Sequence, residues 1–394
     1  MRGIHVWRQF DFVLLGTTLL LVVLGVAMIR SANLGTEDLA DLWRRQATFA
    51  VIGLVLLLAI AAFPYAWFRP VWWVGYLLAI GLLILVLFIG QSEIGDVRRW
   101  FYIGDQRFQP SFPAMILSVI ALSAVLDWRR RREPRVEAEG ERIEPRPGLL
   151  PYLVSGAMAL LLAYLVFREP DMSTALAFVV LWGALAFASD VPLVYLLVTT
   201  LVGLASLLPL WSLMEDYQRE RVLLFINPEL DPAKLYTRDQ ALISIGSGGL
   251  WGQGYGVGSQ SQLHFLRVRH TDFIFSVLGE ELGFIGVLLV LALFVVLVWR
   301  LLRAAILAPD RFGRLLVVGA GAVVLFPLVV NVGMNLALLP VTGLPLPFIS
   351  YGGTALLTSM AAIGIVEGVA MRRTAEGVVI RPPEKVEETP VPVD

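Results

Sequence analysis

An all-helical polytopic membrane protein with ten spans is the fold class this sequence predicts, and three observations predict it. Hydrophobic residues make up 57% of the 394 and charged residues 16%, where soluble domains carry roughly 25% charge. Mean hydropathy is +0.75. The apolar residues gather in runs close to the ~20 residues that cross a bilayer. A chain this apolar cannot cover itself with polar surface, so lipid must be its solvent. The net charge of -1 lacks the basic excess of a nucleic-acid binder. With 0 cysteines there is no disulfide framework, thiolate nucleophile or cysteine metal site.

The ten runs lie near 11–30, 47–63, 71–90, 111–128, 149–167, 171–189, 191–211, 273–299, 315–337 and 350–370. The first is too long and uninterrupted for a cleaved signal peptide and is expected to stay as an anchor. Arginine and lysine placement sets the orientation. With the N-terminus inside, the inner segments hold 18 of the 31 basic residues and the short outer segments seven. Both termini are therefore expected in the cytoplasm. Residues 129–148 mix seven arginines with five glutamates and three prolines, the composition of a solvated linker rather than of an anionic-lipid site. Residues 1–373 form the membrane domain, and the Pro- and Glu-rich tail 374–394 is expected to be disordered.

The chemistry concentrates in the 61-residue outer segment 212–272, between the seventh and eighth spans, with seven carboxylates, six cations, His264 and His270. A loop of that length in a compact fold is usually functional or disordered, and its apolar content argues for packing over the helices. Gly246 to Gly258 holds seven glycines in thirteen residues. No register gives GxGxxG and no Lys-Ser/Thr follows, so nucleotide binding is excluded. Close approach to a ligand or helix and plain flexibility remain two even readings.

His270-Thr271-Asp272-Phe273-Ile274-Phe275 then runs into Glu280-Glu281. A lone aspartate at a helix start reads first as an N-cap. Carboxylates eight and nine residues later, ~12 Å along a helix, weigh toward a wet cavity, where an ionisable residue is a functional candidate. A second cluster, Arg98-Arg99-Trp100 followed by Phe108-Gln109-Pro110-Ser111, reads either as a phosphate seat or as an interfacial aromatic belt. Glu169-Pro170-Asp171 opens the sixth span on the same side, with Asp171 a helix cap or a third member of the site.

These motifs, in this order over residues 10–371, resemble the SEDS family of bacterial cell-wall polymerases, its RodA branch more than its FtsW branch. The closest likeness lies in Gln260-Ser261-Gln262-Leu263, in His270 to Phe275 with Glu280-Glu281-Leu282-Gly283, and in the run from Leu339-Pro340-Val341-Thr342-Gly343 to Ser350-Tyr351-Gly352-Gly353. The resemblance implies a ten-helix peptidoglycan glycosyltransferase of the bacterial plasma membrane that polymerises lipid II at its outer face. The partner it implies is a single-span class B penicillin-binding protein. Asp272 matches the family's essential aspartate and is expected to act as general base. Glu280, Glu281 and Asp171 are expected to shape the groove, and Arg98, Arg99 and Trp100 to lie beside the donor. No organic cofactor is implied, and arginines or a divalent cation, Mg or Mn, suit the diphosphate charge. Two departures stand out. Phe112 and Met115 occupy positions where most members carry glutamate and lysine, and Leu266-Arg267-Val268 replaces Leu-Pro-Glu. A lipid flippase and a non-catalytic scaffold for a transpeptidase are the competing readings.

Overall fold

The computed structural model describes residues 7–36, 39–91, 98–104, 106–128, 135–136, 142–143, 148–231, 235–263, 265–266 and 268–373. The tail, most of the 129–148 linker, Asp96, Asp105 and His264 lie outside the described residues. Thirteen helices are described: α1 Phe12–Ala32, α2 Leu42–Ala62, α3 Trp72–Ile89, α4 Ser111–Leu126, α5 Leu149–Arg168, α6 Met172–Ala188, α7 Leu193–Leu213, α8 Asp216–Ile226, α9 Tyr236–Ser247, α10 Ser259–Gln262, α11 Ile274–Ile306, α12 Arg311–Asn335 and α13 Gly353–Ala370. Before α4, β1 (Phe101–Ile103) and β2 (Gln106–Phe108) form an antiparallel hairpin with Phe101 opposite Phe108. Within 129–148, Arg135–Val136 pairs with Arg142–Ile143.

Seven helices, α1, α2, α3, α5, α11, α12 and α13, are long and apolar enough to cross a membrane, and α4, α6 and the first part of α7 are shorter apolar helices. They coincide in order with the ten runs read from the sequence. Two boundaries differ for a physical reason. The second helix starts at Leu42, not 47, because Trp43, Arg44 and Arg45 continue the helix; the Arg44 guanidinium lies over the Trp43 ring. The eighth span runs on to Ile306, because Arg300 stays in the helix and is buried against Asp11.

The core is helix against helix. α13 is almost wholly buried and packs along α2, α4 and α12, while α3 pairs with α4, α5 with α6, and α11 with α1 and α12. Close contact between α2 and α13 depends on Gly364, where a Cβ would stand 2.7 Å from the Leu57 carbonyl oxygen. Small residues at helix contacts are how bundles gain packing when lipid supplies no hydrophobic drive. The outer circumference is apolar: Phe12, Phe88, Phe187, Leu208 and Ile306 are all at least 70% exposed. α7 buries none of its described residues and leans on α6 alone among its main contacts, the pattern of a helix facing hydrocarbon.

At the end of the bundle opposite residues 212–272, buried charges tie the helices. Asp11 caps α1 through Leu14 N (3.0 Å) and accepts from Arg300 Nε (2.7 Å) and Nη2. Its own N–H donates to Glu367 on α13 (3.0 Å). Residues 212–272 are not one loop but carry α8, α9 and the single-turn α10.

Candidate active site

Three consecutive carbonyls position the His270-Thr271-Asp272 segment. Tyr351 N donates to the His270 carbonyl (2.9 Å), and Ser350 Oγ to that of Thr271 (2.6 Å). Asn331 Nδ2 and Asn335 Nδ2, one turn apart on α12, both donate to the Asp272 carbonyl (3.0 Å each). Asn335 also accepts from Ser276 Oγ (2.6 Å), which fixes the first turn of α11 to α12. Gln46 on α2 closes the far side, donating to the Ser350 carbonyl (3.1 Å) and accepting from Gly352 N (3.2 Å). A backbone held at three successive carbonyls fixes where the Asp272 side chain emerges.

That side chain does not cap α11. Phe273 is the N-cap residue and no side chain completes the cap. The carboxyl lies against the 336–352 loop, 3.6 Å from where a Cβ on Gly343 would be. Asp272 is partly exposed as a residue while its carboxyl is closely surrounded, as at the mouth of a crevice. Burial pushes it up to about 6, opposed by the Thr271 hydrogen bond and Arg221, and reinforced by Asp171. Two residues earlier, burial beside Arg269 and Arg107 drives His270 down to about 4, so this imidazole is neutral near pH 7.

Asp171 lies within electrostatic reach of Asp272. It caps α6 through Thr174 N (3.1 Å) and accepts from Thr174 Oγ1 (2.9 Å) and Gln109 Nε2 (3.0 Å). The hairpin delivers Gln109, whose N–H reaches Thr354 Oγ1 at the start of α13 (3.3 Å). Ser173 Oγ binds the Thr342 carbonyl (3.0 Å) and Arg221 Nη1 the Val341 carbonyl (3.4 Å), so α6, α8 and the 336–352 loop meet around Asp272. Arg99 lies near Glu169, which is fully buried two residues before Asp171.

The other expected site residues divide. Glu280 and Glu281 are buried but share no hydrogen-bond partner with Asp272 among the described residues. Glu280 accepts from Gln260 N (2.6 Å) and Ser261 N (3.2 Å), capping α10. Glu281 accepts from Ser31 Oγ at 2.7 and 2.5 Å. In this structure they fasten the glycine-rich segment and α1 onto α11. Arg98 is exposed and its Nη1 donates to the Phe88 carbonyl at the end of α3 (3.4 Å). Trp100 forms a bridge with Gln91. Phe112 and Met115 are 6% and 1% exposed and belong to the apolar core.

Asn331, Asn335 and Gln46 take part in the site and were not singled out by sequence reasoning, while Gln109, Glu169 and Ser350 stood in motifs without a role assigned to them. Two asparagines four apart in an apolar run were the available signal: α12 carries them on one face at helical spacing. Among the described residues no three or more metal-type ligands stand together, and Asp171 accepts from Gln109 and Thr174.

The family model for FtsW/RodA/SpoVE, described as cell cycle protein, matches residues 11–375. The chain belongs to this family. It is 35% identical to the peptidoglycan glycosyltransferase MrdB of Escherichia coli over 92% of this chain and 95% of that protein. It is 34% identical to a probable peptidoglycan glycosyltransferase FtsW of Trichlorobacter lovleyi over 92% and 93%. Among solved structures, a chain of a peptidoglycan synthase complex, titled for coordination of polymerization and crosslinking, superposes with TM-score 0.75 at 30% identity, covering 93% of this chain and 99% of that one.

Proposed function

We propose that this chain is a peptidoglycan glycosyltransferase that polymerises lipid II during cell-wall elongation. We also propose that it does so as a ten-span protein of the bacterial plasma membrane, with both termini cytoplasmic and a class B penicillin-binding protein as partner. The clamped Asp272, its carboxyl at the mouth of the crevice and raised to about 6, carries the reading. A general base works best when its pKa lies near the working pH; here the carboxyl is mostly ionised at pH 7 yet basic enough to take a proton.

The acceptor sugar hydroxyl gives its proton to Asp272 as its oxygen forms a bond to the anomeric carbon of the donor. The bond from that carbon to the diphosphate oxygen breaks, and undecaprenyl diphosphate leaves with the electron pair. A single displacement inverts an alpha-linked donor to a beta-linked glycan without a glycosyl-enzyme. Asp171, held by Gln109 and Thr174, keeps a second negative charge near Asp272 and raises its basicity. Arg221 and Arg107 supply positive potential at the same mouth.

The test is polymerisation of labelled lipid II by purified protein with its transpeptidase partner, resolved by chain length. Wild type is expected to give glycan chains, and Asp272→Asn to lose about 10²-fold or more in rate. Chains at the wild-type rate from the variant contradict the base assignment. Translocation of lipid II across vesicles without chain growth supports the flippase, and Asp272→Ala that still restores rod shape supports the scaffold.

A further inference from the structure

The glycine-rich segment sits in an uncharged stretch: no Asp, Glu, Lys or Arg lies between Asp239 and Arg267, although the rest of 212–272 is dense in them. α9 leads into it, and the single-turn α10 leads out toward Asp272. Its backbone polar groups are met by the bundle. α11 breaks at Gly283, where φ is +67, and the donors just beyond the break, Phe284 N and Ile285 N, go to the Gly249 and Leu250 carbonyls. In return Gln253 N and Gly254 N donate to the Glu280 and Glu281 carbonyls. The Gln253 side chain is engaged within the segment, accepting from Ser259 N (3.1 Å). What remains on the surface is apolar: Leu250, Trp251 and Val257 are 63%, 79% and 64% exposed. Irregular backbone at membrane depth is tolerated only where protein satisfies it, and these bonds meet that condition.

Two helices give the height of the segment independently. Tyr255 Oη donates to the Ala27 carbonyl on α1 (2.8 Å), and Ala27 stands 16 residues after Asp11, the cap of α1. Phe284 stands 16 residues before Arg300, the partner of Asp11. At ~1.5 Å per residue, both helices place the segment ~24 Å from the Asp11–Arg300 pair, and so ~6 Å inside a hydrocarbon core ~30 Å thick. Val23 on α1 and Phe284 and Leu288 on α11 are exposed at or just below that level, as part of the apolar circumference. We propose that residues 240–263 form a re-entrant element in the leaflet on the Asp272 side, with Leu250, Trp251 and Val257 in contact with acyl chains. Phospholipid tails are the occupant, because the patch is apolar, uncharged and continuous with surface that faces hydrocarbon. The placement stands on the membrane reading alone and not on the polymerase reading. Its consequence is positional: the element runs on through α10 to the Asp272 segment and fixes that segment's height over the membrane.

The chain has no cysteine, so single-cysteine variants carry a spin label without background. The experiment labels Leu250→Cys, Trp251→Cys and Val257→Cys in the full-length protein, reconstituted in phosphatidylethanolamine–phosphatidylglycerol liposomes. It compares collision with oxygen, which enters lipid, and with a nickel chelate, which stays in water. Val23→Cys on α1 is the lipid reference and Glu229→Cys the water reference. The three labels are expected to group with Val23, accessible to oxygen and protected from nickel. Nickel access like that of Glu229 overturns the proposal, and so does protection from both reagents, which would mean that protein covers the patch. A second measurement needs no label: Trp251→Asp puts a charge in hydrocarbon and should lower the melting temperature in liposomes by several degrees, while Trp251→Leu should keep it. Equal melting of these two variants also overturns the proposal. Neither measurement reads chain growth, so the polymerase reading stands or falls separately.

Discussion

Asp272 was legible as a residue because a carboxylate between an aromatic-rich motif and an apolar run is conspicuous; its surroundings were not. The groups that hold it, Tyr351, Ser350, Asn331 and Asn335, are 59 or more residues away in sequence, and no local pattern announces such contacts. The same distance hid the division between Asp272 and the Glu280-Glu281 pair. With Asp272 at about 6, chain growth should fall about tenfold per pH unit below that value, measured as initial rate between pH 5 and 8. An acid limb near 4 would mean that the carboxyl is not desolvated. Asn335→Ala removes one of the two donors to the Asp272 carbonyl and the acceptor of Ser276 Oγ, so kcat should drop more than tenfold with KM nearly fixed, in a titration against lipid II. Glu169 makes a linkage prediction. Its folded-state pKa is raised, so above the unfolded value of 4.5 the unfolded chain ionises while the folded one holds its proton. Stability contributed in acid is thus lost as pH rises toward about 9. Glu169→Gln should melt several degrees above wild type at pH 8 and close to it at pH 5.

At the scale of elements, hydropathy located every apolar helix because a spanning run is set by local composition. Helix ends moved where polar residues remained helical, as Arg300 does by pairing with Asp11. Inside 212–272 the short α8, α9 and α10 lack a spanning-length apolar run, so hydropathy passed over them. The glycine-rich segment was readable as glycine-rich and no further. In the fold it is a strap: Gln253 N and Gly254 N donate to the Glu280 and Glu281 carbonyls (2.9 and 3.0 Å), and Phe284 N returns to Gly249 (2.9 Å). Gly252 has φ +81 and no room, since a Cβ would stand 2.1 Å from the Glu281 carbonyl oxygen. Gly252→Ala should destabilise the protein by about 1–3 kcal/mol, seen as a lower melting temperature in detergent. A flexible loop would tolerate it.

For the whole molecule, a bundle whose circumference is apolar places its polar chemistry at the two ends, and the two ends differ. One holds the paired, buried cluster Asp11, Arg300 and Glu367, which joins α1, α11 and α13. The other holds Asp272, whose backbone is clamped by Asn331 and Asn335, near Asp171. Arg300→Ala strands Asp11 and should cost about 3–5 kcal/mol, with partial recovery on adding Asp11→Asn; melting curves of the two variants decide it. Polymer formation should then follow the folded fraction, because this cluster ties helices and does not touch substrate. The central claim is that one carboxyl at the opposite end takes the acceptor proton. It is tested most directly by a single-turnover measurement of labelled lipid II polymerisation with Asp272→Asn, folded to wild-type melting temperature and bound to its transpeptidase partner. A loss of about 10²-fold or more in the chemical step, with lipid II binding retained, is the predicted result; glycan chains formed at the wild-type rate would contradict it.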